Sequence, residues 1–414
     1  MTLRFRCILF QVSSRVLHTL SPEFDWRVDA LDWPVTTQVG PGLAGVVATG
    51  TRVMWLDPSS GRLAYRGVPV GSLAASPDFE RVAFLLITGT ASDEAVDSWE
   101  GFRHNLRSSR RLPSDVVALV RDLDPTTHPT RSLRAGISAL GCHELSVDDD
   151  ISGDQHWREL RIVGQVAGLV GEIVRHRRGA AAAAGGDCDG SLAYELLCAI
   201  GGTPPEPEDV QALDLLWVLY AAHGLDAPTF TSMVVASCLA DPYTNVVAGL
   251  SALRGWRQGG ASEAVLDQLL DRSGPDEAEA WVHARLAEGG SIAGFGHPDY
   301  RMPDPRVVIL RQTAASLAQR KGHGELFEIA RAIEEAATRE LTPKGVHVNV
   351  NFYGALLFHL LGADPPLAPC LIAIARMAGL VALVREALDG IRLYRPLSRY
   401  AGAAPRSIDG GGQP

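Results

Sequence analysis

From about residue 79 onward, apolar side chains recur every three or four positions, the spacing that gathers them on one face of an α-helix. Residues 208–223 (EDVQALDLLWVLYAAH) carry a broad apolar face and stop at Gly224, a natural residue just past a last helical turn. That reading makes His223 the last helical residue. Asp304-Pro305-Arg306 opens another helix, VVILRQTAASLAQR, because aspartate caps free N–H groups and proline is tolerated in the first turn. Arg306 then stands at the second helical position. The same period predicts helices over 276–287, 325–341, 352–361 and 369–388. Strand-like signal is thin and confined to the first 70 residues, around 63–65. The stretches 146–153 (SVDDDISG) and 179–190 (GAAAAAGGDCDG) read as linkers. No internal repeat is visible, and the pattern is mostly α.

Composition narrows the class. A chain of 414 residues can bury a large core and form two domains. A net charge of −10 argues against a general nucleic-acid binder, and no uninterrupted apolar run reaches the roughly 18 residues of a membrane helix. All but two of the 38 basic residues are arginines, the exceptions being Lys321 and Lys344. GC-rich codons explain the bias most simply, and its chemical effect is to favour planar, bidentate anion binding over flexible ammonium groups. The six cysteines are scattered without a CxxC pair, which points away from structural zinc and toward reduced cytoplasmic thiols. The first 22 residues hold three arginines and no acid, and read as an extension or a misassigned start rather than a targeting peptide.

Four places combine polar side chains with glycines or helix ends. His223 closes a helix, where a histidine favours the dipole. GWRQGG sets Gln258 before paired glycines that let backbone approach closely. GFGHPDYRMPDPR puts His297 after two glycines and Arg306 at a helix start, where guanidinium and helix N-terminus would bind the same anion. Arg376 lies inside the apolar helix CLIAIARMAGLVAL, and Arg395 in YRPLSRY. An arginine among apolar neighbours must snorkel, pair with an acid or meet an anion.

The order of these places, from about Gly42 to Gly402, resembles the citrate synthase family. GLAGVVATGTRVMWLDPSSGRLAYRGVPVGSL looks like its N-terminal signature, and HPTRSLRAGISALG matches another landmark. LDLLWVLYAAHGLDAPTFTSMVVAS follows the family's LHADHELNASTFTARVVAS, and GLSALRGWRQGGASEAV its GIAALKGPLHGGANEAV. GFGHPDYRMPDPR parallels GFGHRVYKNYDPR and NVNFYG parallels NVDFYSG; ARMAG and RPLSRYAG complete the series.

The resemblance implies an all-α, two-domain homodimer with its active site in the interdomain cleft. It implies a large domain over 42–254 plus 362–414, a small domain over 255–361, and an extension of open role over 1–41. The family condenses an acyl-CoA with an oxo-acid, typically oxaloacetate, using no tightly bound cofactor and no metal. Carried over by position, His223, His297, Arg306 and Arg376 would grip the oxo-acid, with Arg395 reaching in from the other subunit. Arg301 falls at a basic position associated with CoA phosphates. The partners implied are the two small molecules and a second copy of the chain, with no nucleic acid and no membrane.

The thioester side departs from the pattern. The family aspartate that takes a proton from the thioester α-carbon is Asn351 here, and the histidine that holds the enolate oxygen is Gln258. Glutamine remains a donor, but asparagine is no base. Tyr220 and Ala222 stand where the family has histidine and aspartate. Gly289-Gly290-Ser291 and Pro298 replace lysines before GFGH and an arginine after it. Asp299 and His347 are candidate substitute bases. The leading expectation is a cytoplasmic acyltransferase that joins an atypical, already activated thioester to an oxaloacetate-like acid. A silent paralogue that binds a di- or tricarboxylate, or acts as a regulatory or scaffold partner, is the alternative. A third reading is ordinary citrate synthase activity through a rearranged site.

Overall fold

Aspartates and serines placed before apolar runs start many of the helices. Asp78, Ser191, Asp226 and Asp241 each accept a backbone N–H three residues on, and proline occupies the first turn after several such caps. The computed structural model describes residues 41–43, 46–89, 96–143, 155–179, 190–300, 302–390 and 392–396. Residues 51–414 form one compact unit and residues 1–50 a separate one, whose described part includes a short turn of 3-10 helix, Pro41–Leu43.

The larger unit opens with a three-stranded antiparallel sheet: β1 (Met54–Asp57), β2 (Arg62–Tyr65) and β3 (Val68–Pro69), with Met54 opposite Tyr65 and Ala64 opposite Pro69. After it, the regular elements among the described residues are helices, apart from an isolated bridge between Phe295 and Val348. The helices are α1 (Val70–Ala75), α2 (Phe79–Thr88), α3 (Val96–Ser108), α4 (Ser114–Asp122), α5 (Pro129–Gly141), α6 (Gln155–Arg177), α7 (Leu192–Gly201) and α8 (Pro207–Tyr220). Then follow α9 (Ala227–Ala236), α10 (Pro242–Leu253), α11 (Ala261–Leu270), α12 (Pro275–Ala287), α13 (Arg306–Lys321), α14 (Gly324–Leu341), α15 (Val350–Leu360) and α16 (Ala368–Leu388). The fold is all-α apart from the small sheet. The expected linkers fall mostly outside the described residues, as does nearly all of the extension.

Helix α16 is the core. It is buried on every side from Ala368 to Val384 and packs against α2, α6, α8 and α9. It is long and apolar enough to cross a membrane, but its most apolar stretch is wholly covered by protein, as befits a core helix. Its Gly379 lets α8 come close: a Cβ there would stand 2.3 Å from the carbonyl oxygen of Ala221.

That closeness corrects the expected end of α8. The helix stops at Tyr220, so His223 lies three residues beyond it in irregular backbone and is not a helix-terminal histidine. Distant donors take the last carbonyls. Arg306 Nη1 donates to Leu219 O (3.3 Å), Arg376 Nη1 to Tyr220 O (3.3 Å), Gly379 N to Ala221 O (3.1 Å) and Tyr65 Oη to Ala222 O (3.1 Å). Helix carbonyls satisfied from outside no longer need a further turn.

Candidate active site

Arg306 is the first residue of α13, one position earlier than the sequence suggested. Its guanidinium forks onto Asp304, with Nε–Oδ1 at 2.9 Å and Nη2–Oδ2 at 2.7 Å, and both residues are buried. Burial alone would raise the Asp304 carboxyl, but the charge and hydrogen bonds of Arg306 outweigh it and hold it below the usual carboxylate range. Asp304 also accepts the N–H of Arg306 (3.1 Å) and of Val350 (3.2 Å), which ties α13 to the start of α15. Arg376, likewise buried, ion-pairs with Asp226, the cap of α9. Both arginines are therefore held donors with part of their charge offset, rather than bare cations.

His223 sits between them. Burial first, and then the positive charges of Arg306 and Arg376, hold its pKa well below the ordinary imidazole value, so the ring is neutral. Its Nε2 pairs with Tyr300 Oη at 3.2 Å. The ring of His297 lies 4.8 Å away, centroid to centroid. His297 Nδ1 accepts backbone N–H groups from Asp299 (3.1 Å) and Tyr300 (3.3 Å), which leaves Nε2 to carry the proton as a donor.

The pH consequence has a definite sign. Below the ordinary imidazole value of 6.5 the unfolded chain gains a proton that folded His223 refuses. Its contribution to stability is full above that pH and is lost as pH falls. The denaturation midpoint should fall between pH 7 and pH 5, and fall less in His223→Gln. Identical pH dependence in the two proteins contradicts a buried, neutral His223.

His297 is delivered by a short backbone pairing. Phe295 bridges Val348, Gly296 N donates to His347 O (2.7 Å), and Asn349 N donates to Gly294 O (2.8 Å). Gly294 adopts φ +82°, and a Cβ there would meet Phe352 at 2.8 Å, so only glycine fits. Asn349 completes the tie: Nδ2 donates to Gly296 O (2.8 Å) and Oδ1 accepts Asn351 N (3.0 Å). The sequence-distant motifs GFGH and NVN thus form one ledge.

Beside that ledge lies a cleft of about 720 Å³ whose wall includes His297, Asn351, Trp256, Arg257, Trp281 and Arg285. Gln258 is half-buried and lies outside that lining. Its loop is a tight return: Gln258 N donates to Gly255 O (2.9 Å), and a Cβ on Gly260 would press on Arg254 O at 2.7 Å. The paired glycines serve this return. Neither Asp299 nor His347 lines the cleft; two other carboxylates, Asp267 of α11 and Asp271 just beyond its end, do. Burial, then Asp271 and Glu263, raise the Asp267 carboxyl.

Arg395 is exposed, next to Tyr394 whose N–H donates to Ser237 Oγ (3.2 Å), and is not joined to this cluster by a hydrogen bond among the described residues. Arg301 lies outside the described residues. Sequence reasoning missed Asp304, Tyr300 and the two cleft tryptophans. The signal for Trp256 and Arg257 was present, since they immediately precede Gln258.

His223, His297 and Asp299 bring potential metal ligands within 4.8 Å of one another. The proton inventory points elsewhere. His297 Nδ1 already accepts backbone N–H groups, and the Asp299 carboxylate, 49% exposed, approaches that same nitrogen at 3.9 Å. Neutral imidazoles and guanidinium N–H groups together suit a carbonyl compound bearing carboxylates.

The sequence model of the family described as "Citrate synthase, C-terminal domain" matches residues 42–397. The citrate synthase of Acidithiobacillus ferridurans is 33% identical over 374 residues, covering 88% of this chain and 96% of that protein. The 2-methylcitrate synthase of Mycobacterium tuberculosis is 32% identical over 369 residues, covering 89% and 92%. Among solved structures, the citrate synthase of Thermoplasma acidophilum, in ternary complex with carboxymethyl coenzyme A and oxaloacetate, superposes with a TM-score of 0.84. It is 25% identical and covers 90% of this chain and 98% of its own.

Proposed function

The chain belongs to the citrate synthase family, and from that premise we propose that it joins an already activated acyl thioester to an oxaloacetate-like oxo-acid. Condensation of the citrate synthase type is the family's chemistry. The observation that carries the finer reading is the contrast between the two halves of the site. On the oxo-acid side, His223, His297, Arg306 and Arg376 keep the residue types of the family pattern, with both arginines held by acids. In the thioester half, an amide stands at the position of the proton-abstracting carboxylate.

In this reading the guanidinium N–H groups left over by Asp304 and Asp226 bind the carboxylates of the oxo-acid. His297 Nε2–H donates to its carbonyl oxygen and polarises it for attack. Because Asn351 cannot take a proton, the thioester must bring its own route to an enolate, through a second carbonyl on the α-carbon or through loss of CO₂. Arg257, exposed at the cleft mouth, and Arg285 supply positive charge toward an anionic thioester. The dimer, the division into large and small domains, the reach of Arg395 into a neighbouring copy and the cytoplasmic location belong to the same proposal. Free cysteines among the described residues, Cys142, Cys238 and Cys370, favour that location.

The test is product formation. Purified protein is incubated with oxaloacetate and, in turn, acetyl-, malonyl- and acetoacetyl-CoA, and products are identified by mass spectrometry. A tricarboxylate product from an activated thioester is the expected result. No product and no thiol release across the series overturns the proposal.

A further inference from the structure

Tyr220 Oη lies 3.1 Å from Asn351 Oδ1 and 3.1 Å from Val350 O. The phenol is buried, and burial pushes its pKa well above the ordinary value, so the hydroxyl keeps its proton. The single hydroxyl proton is shared between Val350 O and Asn351 Oδ1, which both face it as acceptors. The Asn351 NH₂ group is then the end of the amide not engaged by Tyr220, and Asn351 lines the cleft whereas Tyr220 does not. Its neighbour Asn349 has its amide fixed in holding the ledge, with Nδ2 on Gly296 O and Oδ1 on Asn351 N.

A third residue makes this arrangement possible. A Cβ on Gly354 would stand 2.3 Å from Tyr220 Oη, so the tyrosine fits only over glycine. Where the family pattern reads LHADH and NVDFYSG, positions 220, 351 and 354 would be histidine, aspartate and serine; all three differ here. The large side chain, the small one beneath it and the amide it touches match one another in space. Unconstrained decay of a site gives no reason for such a match.

We propose that Tyr220 is a positioning residue that, seated over Gly354, turns the Asn351 amide so that its NH₂ binds a carboxylate on the α-carbon of the thioester, which selects malonyl-type thioesters. This rests on the condensation reading above. An aspartate at 351 would repel such a carboxylate, whereas a neutral amide donates to it. The group that leaves must stand out of the plane of the thioester carbonyl, on the face where a proton-abstracting carboxylate would otherwise sit. Cleavage of the bond between the α-carbon and the carboxylate releases CO₂ and leaves the electron pair as the thioester enolate. The enolate carbon bonds to the oxo-acid carbonyl carbon, and that oxygen takes the proton of His297 Nε2, which solvent restores. Water then cleaves the thioester to give a carboxylic acid and free thiol.

Binding separates this inference from the condensation itself. Calorimetry of the full chain with malonyl-CoA and with acetyl-CoA, without oxo-acid, should show malonyl-CoA bound about tenfold more tightly or better, the scale of one hydrogen bond to a charged group. Tyr220→Phe should shrink that ratio to about threefold or less at an unchanged melting temperature, and Asn351→Asp should invert it. Gly354→Ala, which displaces the tyrosine hydroxyl, should act like Tyr220→Phe if that variant is unstable. A merely structural Tyr220 would move the melting temperature and weaken both ligands alike. Equal binding of the two thioesters by the natural chain, or an unchanged ratio in both variants, overturns the proposal. A preserved preference without any carbon–carbon product overturns the condensation reading instead.

Discussion

Replacing Asp304 by alanine is expected to lower folding stability by about 3–5 kcal/mol, the range for breaking a buried ion pair from one side. The fork on Arg306 is bidentate and both residues are sequestered, at 1% and 3% exposure. The variant would leave a guanidinium buried without its counter-charge and strip the acceptor from the N–H groups of Arg306 and Val350. Replacing both partners should cost much less, because a buried pair exchanged for apolar side chains of similar volume is often near neutral. Urea denaturation of Asp304→Ala and of Asp304→Ala with Arg306→Met tests this. The first variant should lose most, and the second should regain much of the loss while failing to bind oxaloacetate. A loss below about 1 kcal/mol in the single variant contradicts the paired, buried state of Arg306.

The second large effect is a gain. Asn351→Asp combined with Gln258→His should raise condensation of acetyl-CoA with oxaloacetate by about 100-fold or more. A positioned general base is typically worth on the order of 10²–10⁴ in rate and an oxyanion donor 10²–10³, and such effects do not simply multiply. The structure shapes the expectation in two ways. Tyr220 Oη would hydrogen-bond the new carboxylate, favour its charged form and weaken it as a base, which keeps the gain toward the lower end. Gln258 lies outside the cleft lining while Asn351 is part of it, so the single Asn351→Asp variant should carry most of the change. Thiol release under saturating oxaloacetate measures both variants. A folded double variant that binds oxaloacetate yet gains nothing would mean that the cleft no longer accepts acetyl-CoA productively.

Local signals made much of the fold legible. The Asp-Pro-Arg start of α13 and the apolar periods of α14 and α16 mark helices to within a residue or two, because caps and faces are short-range chemistry. The order of motifs singled out His223, His297, Arg306 and Arg376, which the fold brings near one another. What escaped depends on partners far apart in the chain. No window around His223 contains Tyr65, Arg306, Arg376 or Gly379, yet these unwind the end of α8 and free the histidine from the helix. The paired state of Arg376 with Asp226 and the fit of Tyr220 over Gly354 have the same origin, with separations of 150 and 134 residues in sequence. Gln258 is the converse case. Its motif position drew attention to its side chain, whereas the cleft is lined by Trp256 and Arg257 just before it.

The central claim is that this site captures an enolate it does not make by proton abstraction. It is tested most directly by the ratio of kcat/KM for malonyl-CoA to that for acetyl-CoA, measured as oxaloacetate-dependent thiol release by the natural chain. The account predicts a ratio of about 100 or more, since acetyl-CoA alone needs the missing base. A ratio near one, with efficient release from acetyl-CoA, contradicts it and makes Asp267, a carboxylate of raised pKa in the same cleft, the first residue to replace.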